Sequence, residues 1–149
     1  MTLTQKETGL LKDLMDQEKL CADKYSRHAA CANDAQLGAL FAQIANAEQQ
    51  HLNTLTQLSQ GAVPAPTGGG GPLPTFAAVY TADSPEKKDD AYLCSDVLAM
   101  EKHASSLYDT CIFEFADENA RALLSGIQTQ EQRHGKMIYD YMAANGMYC

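Results

Sequence analysis

The sequence repeats itself at an offset of 83 residues, and this repeat restricts the fold more than any other feature does. The segment "EQQH" at 48–51 aligns with "EQRH" at 131–134. Further aligned pairs are Glu18 and Glu101, Tyr25 and Tyr108, Asp34 and Asp117, Leu40 and Leu123, and Ile44 and Ile127. Such self-similarity indicates a duplicated structural unit, so the fold must be built from two similar halves.

Each half is predicted to be a helical hairpin. Apolar residues recur at spacings of three and four, and start and stop signals bound four helices of about 25–30 residues. The predicted N-caps are Thr4 with Glu7 in a capping box, Asn33 or Asp34, Ser84 before Pro85, and Asp117. The helices are predicted to end near Ala30, Gly61, Phe115 and Gly146. Within each half the connection is only a few residues long, so the paired helices must be antiparallel.

A segment rich in proline and glycine, residues 61–84, separates the two hairpins. It is either a linker between two domains or a crossover that runs the length of one bundle. Since a lone hairpin cannot bury its apolar face, we favour a single domain over residues 1–149. The expected fold is all-α: a ferritin-like antiparallel four-helix bundle with hairpins at 4–60 and 85–145.

Composition limits the range of partners. The chain has a net charge of −8 and no basic cluster, which argues against nucleic acid or an anionic membrane as partner. No apolar run has the length of a membrane span, and the start "MTLTQKETGLL" is unlike a signal peptide, so we expect a cytoplasmic protein.

Five cysteines without CxxC spacing fit neither a disulfide framework nor a zinc site. Cys21, Cys94 and Cys111 fall on apolar positions as buried thiols, and Cys149 is a candidate for cross-linking chains.

Six polar residues interrupt the apolar rows of the four helices. They are Glu18, Glu48, His51, Glu101, Glu131 and His134. Their spacing places four carboxylates and two imidazoles in the core, where four ionised carboxylates need compensation. Two divalent cations would supply it, and this donor set suits Fe or Mn, with Zn as a further choice. The alternative is a metal-free network of Glu–His hydrogen bonds.

Tyr25 and Tyr108 each lie two helical turns after the first glutamate of their half. As candidate catalytic residues they would hydrogen-bond a ligand carboxylate and orient it. The alternative is a core tyrosine whose hydroxyl reaches the surface of the bundle. His28 and His103 lie off the ligand rows and are interpreted as ordinary, partly exposed histidines.

The six-residue set, together with Tyr25 and Tyr108, resembles rubrerythrin and the bacterioferritin-type di-iron proteins. The resemblance implies that Glu48 and Glu131 bridge two ions, that Glu18 and Glu101 are terminal ligands, and that each histidine binds one ion. One departure is Ala104, where rubrerythrins carry an additional glutamate, and another is the lack of paired CxxC motifs.

Nearly all of the sequence outside the 61–83 linker is similar to that of coat F-type spore coat proteins. The segments that carry this resemblance are "LLKDLMDQEKLCADKYSRHA", "IANAEQQHLNTL", "LCSDVLAMEKHASSLYDTCIFEF" and "IYDYMAANGMY". It implies a place in the spore coat or in the cytoplasm of the mother cell, with a homo-oligomer or other coat proteins as partners.

Three functions are therefore open. The first is a di-metal redox protein that reacts with O2 or peroxide. The second is a structural coat or assembly protein in which the metal is absent or only structural. The third is a small metal-binding or ferroxidase protein outside the coat.

Overall fold

The structure, a computed structural model, describes residues 1–66 and 70–148 of the chain. It contains four α-helices: α1 (Gln5–Cys31), α2 (Ala35–Ser59), α3 (Pro85–Glu114) and α4 (Glu118–Ala144). These described ranges hold no β-strand. The predicted all-α four-helix bundle is therefore confirmed.

The helices begin at the predicted caps. Thr4 and Glu7 form the capping box, with the Thr4 Oγ1 accepting from the Glu7 N–H and a Glu7 carboxylate oxygen accepting from the Thr4 N–H. Asp34, rather than Asn33, caps α2, and Asp117 caps α4. Gly61 and Gly146 follow α2 and α4 with φ of 87° and 64°, a backbone region that glycine enters without strain.

The two hairpins pack against each other with neighbouring helices antiparallel. α1 contacts both α2 and α3, and α4 contacts both α3 and α2. The antiparallel order follows from cross-contacts, since Tyr25 meets Glu101 and Glu18 meets Tyr108. Every helix can thus present an apolar row to two neighbours.

The segment between the hairpins passes from one end of the bundle to the other. Gly61 accepts a hydrogen bond from the amino terminus of Met1 at the first end. Farther along, the Ala77 N–H donates to Gln36 at 2.9 Å, and the Val79 N–H donates to Asn145 at 2.9 Å, at the opposite end. Residues 67–69 of the predicted crossover lie outside the described residues.

The apolar core consists of two clusters, one toward each end of the bundle. One contains Tyr25, Phe41 and Tyr141, and the other contains Leu11, Leu55 and Phe115. The predicted burial of Cys21, Cys94 and Cys111 is confirmed, whereas Cys149 lies outside the described residues. Across 1–66 and 70–148, no helix combines the length and apolar character that a membrane crossing requires.

Candidate metal centre

The six polar side chains singled out from the sequence meet inside the bundle. α1 and α3 contribute one glutamate each, and α2 and α4 contribute a glutamate and a histidine each. All six are buried, with exposed fractions from 0% at Glu18, Glu48 and Glu131 to 5% at His134. The i,i+3 spacing in α2 and α4 places each Glu and its His on one helix face, one turn apart.

Their donor atoms form two overlapping groups. One consists of Glu18, Glu48, His51 and Glu131, and the other of Glu48, Glu101, Glu131 and His134. Within each group, one donor atom from every residue lies within 4.8 Å of the others, which is close enough to surround one metal ion. Glu48 and Glu131 belong to both groups, so these two carboxylates stand between the two positions.

The imidazoles point their Nδ1 atoms at the carboxylates. His51 Nδ1 lies 2.8 Å from Glu131 Oε1 and 3.2 Å from Glu48 Oε2. His134 Nδ1 lies 2.9 Å from Glu48 Oε1 and 3.5 Å from Glu101 Oε1. Each histidine thus contacts carboxylates from two helices, and the same Nδ1 lone pairs are placed to bind a cation.

Both candidate tyrosines reach across to the other half of the repeat. Tyr25 is fully buried and donates to Glu101 Oε1 at 2.6 Å, and Tyr108 donates to Glu18 Oε1 at 2.5 Å. Neither hydroxyl extends to the surface, so the alternative of a surface-directed hydroxyl is wrong for both. Such hydrogen bonds fix the orientation of Glu101 and Glu18, each of which belongs to only one of the two groups.

Three carboxylate oxygens in this cluster have no donor among the described residues. They are the Oε2 atoms of Glu18, Glu101 and Glu131, all shielded from solvent. A buried oxygen without a partner costs about 1–3 kcal/mol, and more when it is charged. The hard oxygens and the two Nδ1 atoms are the ligand chemistry of Fe, Mn and Zn. The residues present therefore fit a pair of divalent cations.

Burial and mutual contact shift the protonation of the cluster. Burial raises the pKa of Glu101 to about 8, assisted by its interaction with the neighbouring carboxyl group of Glu131. Burial also raises the pKa of Glu48. The pKa of its neighbour Glu18 is lowered, because hydrogen bonds to the anion outweigh the effect of burial. The pKa of His134 lies well above its ordinary value because its carboxylate contacts outweigh the effect of burial. Without a cation, protons therefore neutralise this cluster.

One neighbour of the centre, Gln130, was not identified from the sequence. Its Oε1 lies 2.5 Å from His51 Nε2 and accepts a hydrogen bond when that nitrogen carries a proton. A proton on Nε2 leaves Nδ1 of the neutral ring as the atom that can bind a metal. The signal in the sequence is a departure from the repeat, because the position equivalent to Gln130 is Ala47.

The two remaining histidines lie apart from the centre, as the ligand rows predict. His28 is partly buried and pairs through Nε2 with Asp96 at 2.7 Å, and His103 is exposed. Asp96 also forms an ion pair with Lys24, so both contacts join α1 to α3. These residues connect helices and contribute nothing to the six-residue cluster.

Comparison with known proteins gives one match. Residues 89–148 match the family model described as the Coat F domain, which spans most of α3 and all of α4. No curated protein and no solved structure matches the chain. The resemblance to coat F-type proteins is thereby confirmed over this stretch, which contains Glu101, Glu131, His134 and Tyr108.

Proposed function

We propose that this chain, whose residues 89–148 form a Coat F domain, is a spore-coat-family protein that binds two divalent metal ions. The observation that carries the proposal is the pair of overlapping Glu/His groups that share Glu48 and Glu131. A glutamate from each of two helices plus Glu-x-x-His from each of the other two is the ligand pattern of ferritin-like dinuclear centres.

Charge balance supports two ions rather than one. Four carboxylates provide a charge of about −4 when ionised, which two divalent cations neutralise. The unpartnered Oε2 atoms of Glu18, Glu101 and Glu131 would then gain the ligand that they lack. Fe or Mn is favoured over Ca and Mg because two imidazoles accompany the oxygens.

Each residue of the cluster has a defined task in this proposal. Glu48 and Glu131 would bridge the two ions, Glu18 and Glu101 would each hold one, and His51 and His134 would each bind one through Nδ1. Tyr25 and Tyr108 would keep the two terminal carboxylates oriented. Two Fe or Mn ions would supply redox chemistry toward O2 or peroxide. The apolar clusters on either side would exclude bulk water.

The proposed location is the spore coat, or the mother cell in which the coat is assembled. The Coat F match supports it, because the name of that domain refers to the coat. Copies of the same chain or other coat proteins would be its macromolecular partners. A redox centre in such a place would protect a dormant cell that cannot renew its proteins.

Elemental analysis of the purified protein tests the metal centre. Wild type is expected to hold about two Fe or Mn ions per chain, and a Glu48→Gln/Glu131→Gln variant is expected to hold none. The matched control is Glu7→Gln, which removes a buried carboxylate of α1 that bonds to Thr4 and Ala116. Equal metal in wild type and the double variant would exclude the centre.

A structural coat or assembly protein is the second candidate. The specific observation in its favour is that the side chains of the cluster bond to one another, since His51 contacts Glu131 and Glu48, and His134 contacts Glu48. Redox-silent zinc, or assembly that is undiminished in Glu48→Gln/Glu131→Gln, would favour this function. Peroxide or O2 consumption that requires bound Fe or Mn would favour the redox protein.

A further inference from the structure

The two halves of the repeat differ in how much of the centre they leave accessible. A surface crevice of about 670 Å³ lies between α3 and α4, and both Glu101 and Glu131 line it. Each of these glutamates has a buried Oε2 without a donor in the described residues. The crevice is therefore bordered by two glutamates whose Oε2 atoms are shielded from solvent and lack a donor.

The equivalent hollow between α1 and α2 is smaller, about 350 Å³. Within the described part of the chain, its lining includes neither Glu18 nor Glu48. The repeat shows which substitutions separate the two surfaces. Gly135 of the α3–α4 crevice corresponds to Leu52, Ser105 to Ala22, and Gln128 to Ala45. The first half thus carries an apolar side chain, Leu52, Ala22 or Ala45, at each of these three positions.

The walls of the α3–α4 crevice are chemically suited to a hydrated cation. Oxygen donors line it from the surface inward: Asp109, Ser106, Thr110, Gln132, Ser105 and Gln128. Among the described residues of this lining, Lys102 carries the one positive charge, and it is exposed. Carboxylate, hydroxyl and amide oxygens can replace water molecules around a divalent cation one after another.

We propose that the α3–α4 crevice is the access route by which a divalent cation reaches the Glu101–Glu131 side of the centre. The inference rests on the proposed function, since it requires that the centre binds metal. Glu101, exposed by 3% where its counterpart Glu18 is fully buried, is the first ligand on this route.

A second cavity provides the competing route and the control. It has a volume of about 470 Å³, lies between α2 and α4 beneath the segment after Gly61, and touches His51 and His134. Gly126 lines this cavity and Gly135 lines the crevice. The two glycines are nine residues apart in α4, which places them on opposite faces of one helix.

The test fills each passage in turn. Gly135→Leu introduces the residue that the first half carries at the same position, and a Cβ there would meet Leu98 Cδ1 at an ordinary 3.6 Å. Ser105→Leu fills the crevice from the α3 wall and guards against misfolding of the first variant. Gly126→Leu is the matched control, because its Cβ would meet Pro66 at 3.7 Å inside the other cavity.

Metal-free proteins are mixed with Mn²⁺, uptake is followed by loss of the EPR signal of free Mn²⁺, and release is followed in excess chelator. In both Gly135→Leu and Ser105→Leu, the rates of uptake and of release are expected to fall by about tenfold. Both rates fall because the added barrier lies on the path that the ion takes in each direction. Stoichiometry and Kd should be unchanged, and Gly126→Leu should behave as wild type.

Two results would overturn the access route while leaving the metal centre in place. Rates equal to wild type in both filling variants would exclude the α3–α4 crevice, and slowing in Gly126→Leu alone would place the route between α2 and α4. A wild-type protein that binds no Mn²⁺, Fe²⁺ or Zn²⁺ would overturn the proposed function, and the route with it.

Discussion

The tyrosine hydroxyls at the centre can be removed without changing the shape of the core. Tyr108→Phe deletes the donor to Glu18, and Tyr25→Phe deletes the donor to Glu101. Each change frees a ligand carboxylate to rotate, and loss of such an outer contact typically lowers metal affinity by about 10–100-fold. We expect this loss in Mn²⁺ titrations of both variants, with the helical circular dichroism retained.

Tyr141→Phe is the matched control for this effect. Tyr141 is also fully buried, but its hydroxyl donates to Asp34 at 2.8 Å near the end of the bundle. This variant should lose stability and keep the metal affinity of wild type. An equal change of affinity in all three variants would mean that the tyrosines act through folding alone.

Glu7 predicts a second residue-level effect, on stability against pH. Its carboxylate accepts from the Thr4 N–H at 2.7 Å and from the Ala116 N–H at 3.0 Å, and these bonds lower its pKa. Glu7→Gln should reduce the free energy of unfolding at pH 7 by about 1.5–3 kcal/mol, the usual contribution of hydrogen bonds to a charged group.

The pH dependence of that difference follows from the sign of the shift. The pKa of Glu7 in the folded state lies below its unfolded value of about 4.3, so the ionised carboxylate contributes its full stabilisation above that pH. It is lost as the pH falls through the folded pKa. Urea unfolding should therefore separate wild type from Glu7→Gln at pH 7 and bring them together on acidification. Glu114→Gln, which removes an exposed ion pair with Lys6, should differ little from wild type at either pH.

At the level of the helix, the two aspartate caps make a matched pair. Asp117 accepts from the Ala120 N–H at 2.8 Å, and replacing such a cap by alanine costs about 1 kcal/mol. Asp34 accepts from the Gln36 N–H and also from the Tyr141 hydroxyl. Asp34→Ala should cost about 1–3 kcal/mol more than Asp117→Ala, because it leaves a buried hydroxyl unpaired. Equal losses in urea unfolding would contradict this.

Helix positions and helix faces could be predicted from the sequence because they depend on local chemistry. The caps at Thr4, Asp34, Ser84 and Asp117 and the convergence of the Glu and His rows follow from side chains within one helical turn. Contacts between halves could not, since they depend on which helices become neighbours. The bonds from Tyr25 to Glu101, from Tyr108 to Glu18 and from His51 to Gln130 are of this kind.

The same limit applies to the asymmetry of the two hairpins. Repeat positions such as Gly135 and Leu52 are visible in the sequence, but the periodicity assigns them to equivalent places. Only the packed structure distinguishes an open crevice beside Glu101 from the hollow on the other side. Departures between the copies, rather than the shared motif, mark where the two halves differ in accessibility.

For the whole molecule, the polar centre lies between the two apolar clusters, and we expect the stability of the fold to depend on bound metal. Without a cation, burial raises the pKa of Glu48, Glu101 and Glu131, and three buried carboxylate oxygens have no donor in the described residues. Glu48→Gln/Glu131→Gln removes two of these acids at nearly constant shape. In chelator, this variant should therefore be at least as stable as wild type.

Bound metal should make wild type more stable than Glu48→Gln/Glu131→Gln. A ligand that binds only the folded state, present at a hundredfold excess over Kd, adds about 2.7 kcal/mol, or about 5–10 °C in the Tm of a chain of this size. Thermal unfolding followed by circular dichroism, in chelator and in Mn²⁺, should show this rise for wild type and none for Glu48→Gln/Glu131→Gln. The sign of the stability difference between the two proteins thus changes with metal, which neither a general loss of packing nor surface binding of Mn²⁺ would produce. A parallel rise in both proteins would instead place the ion outside the cluster.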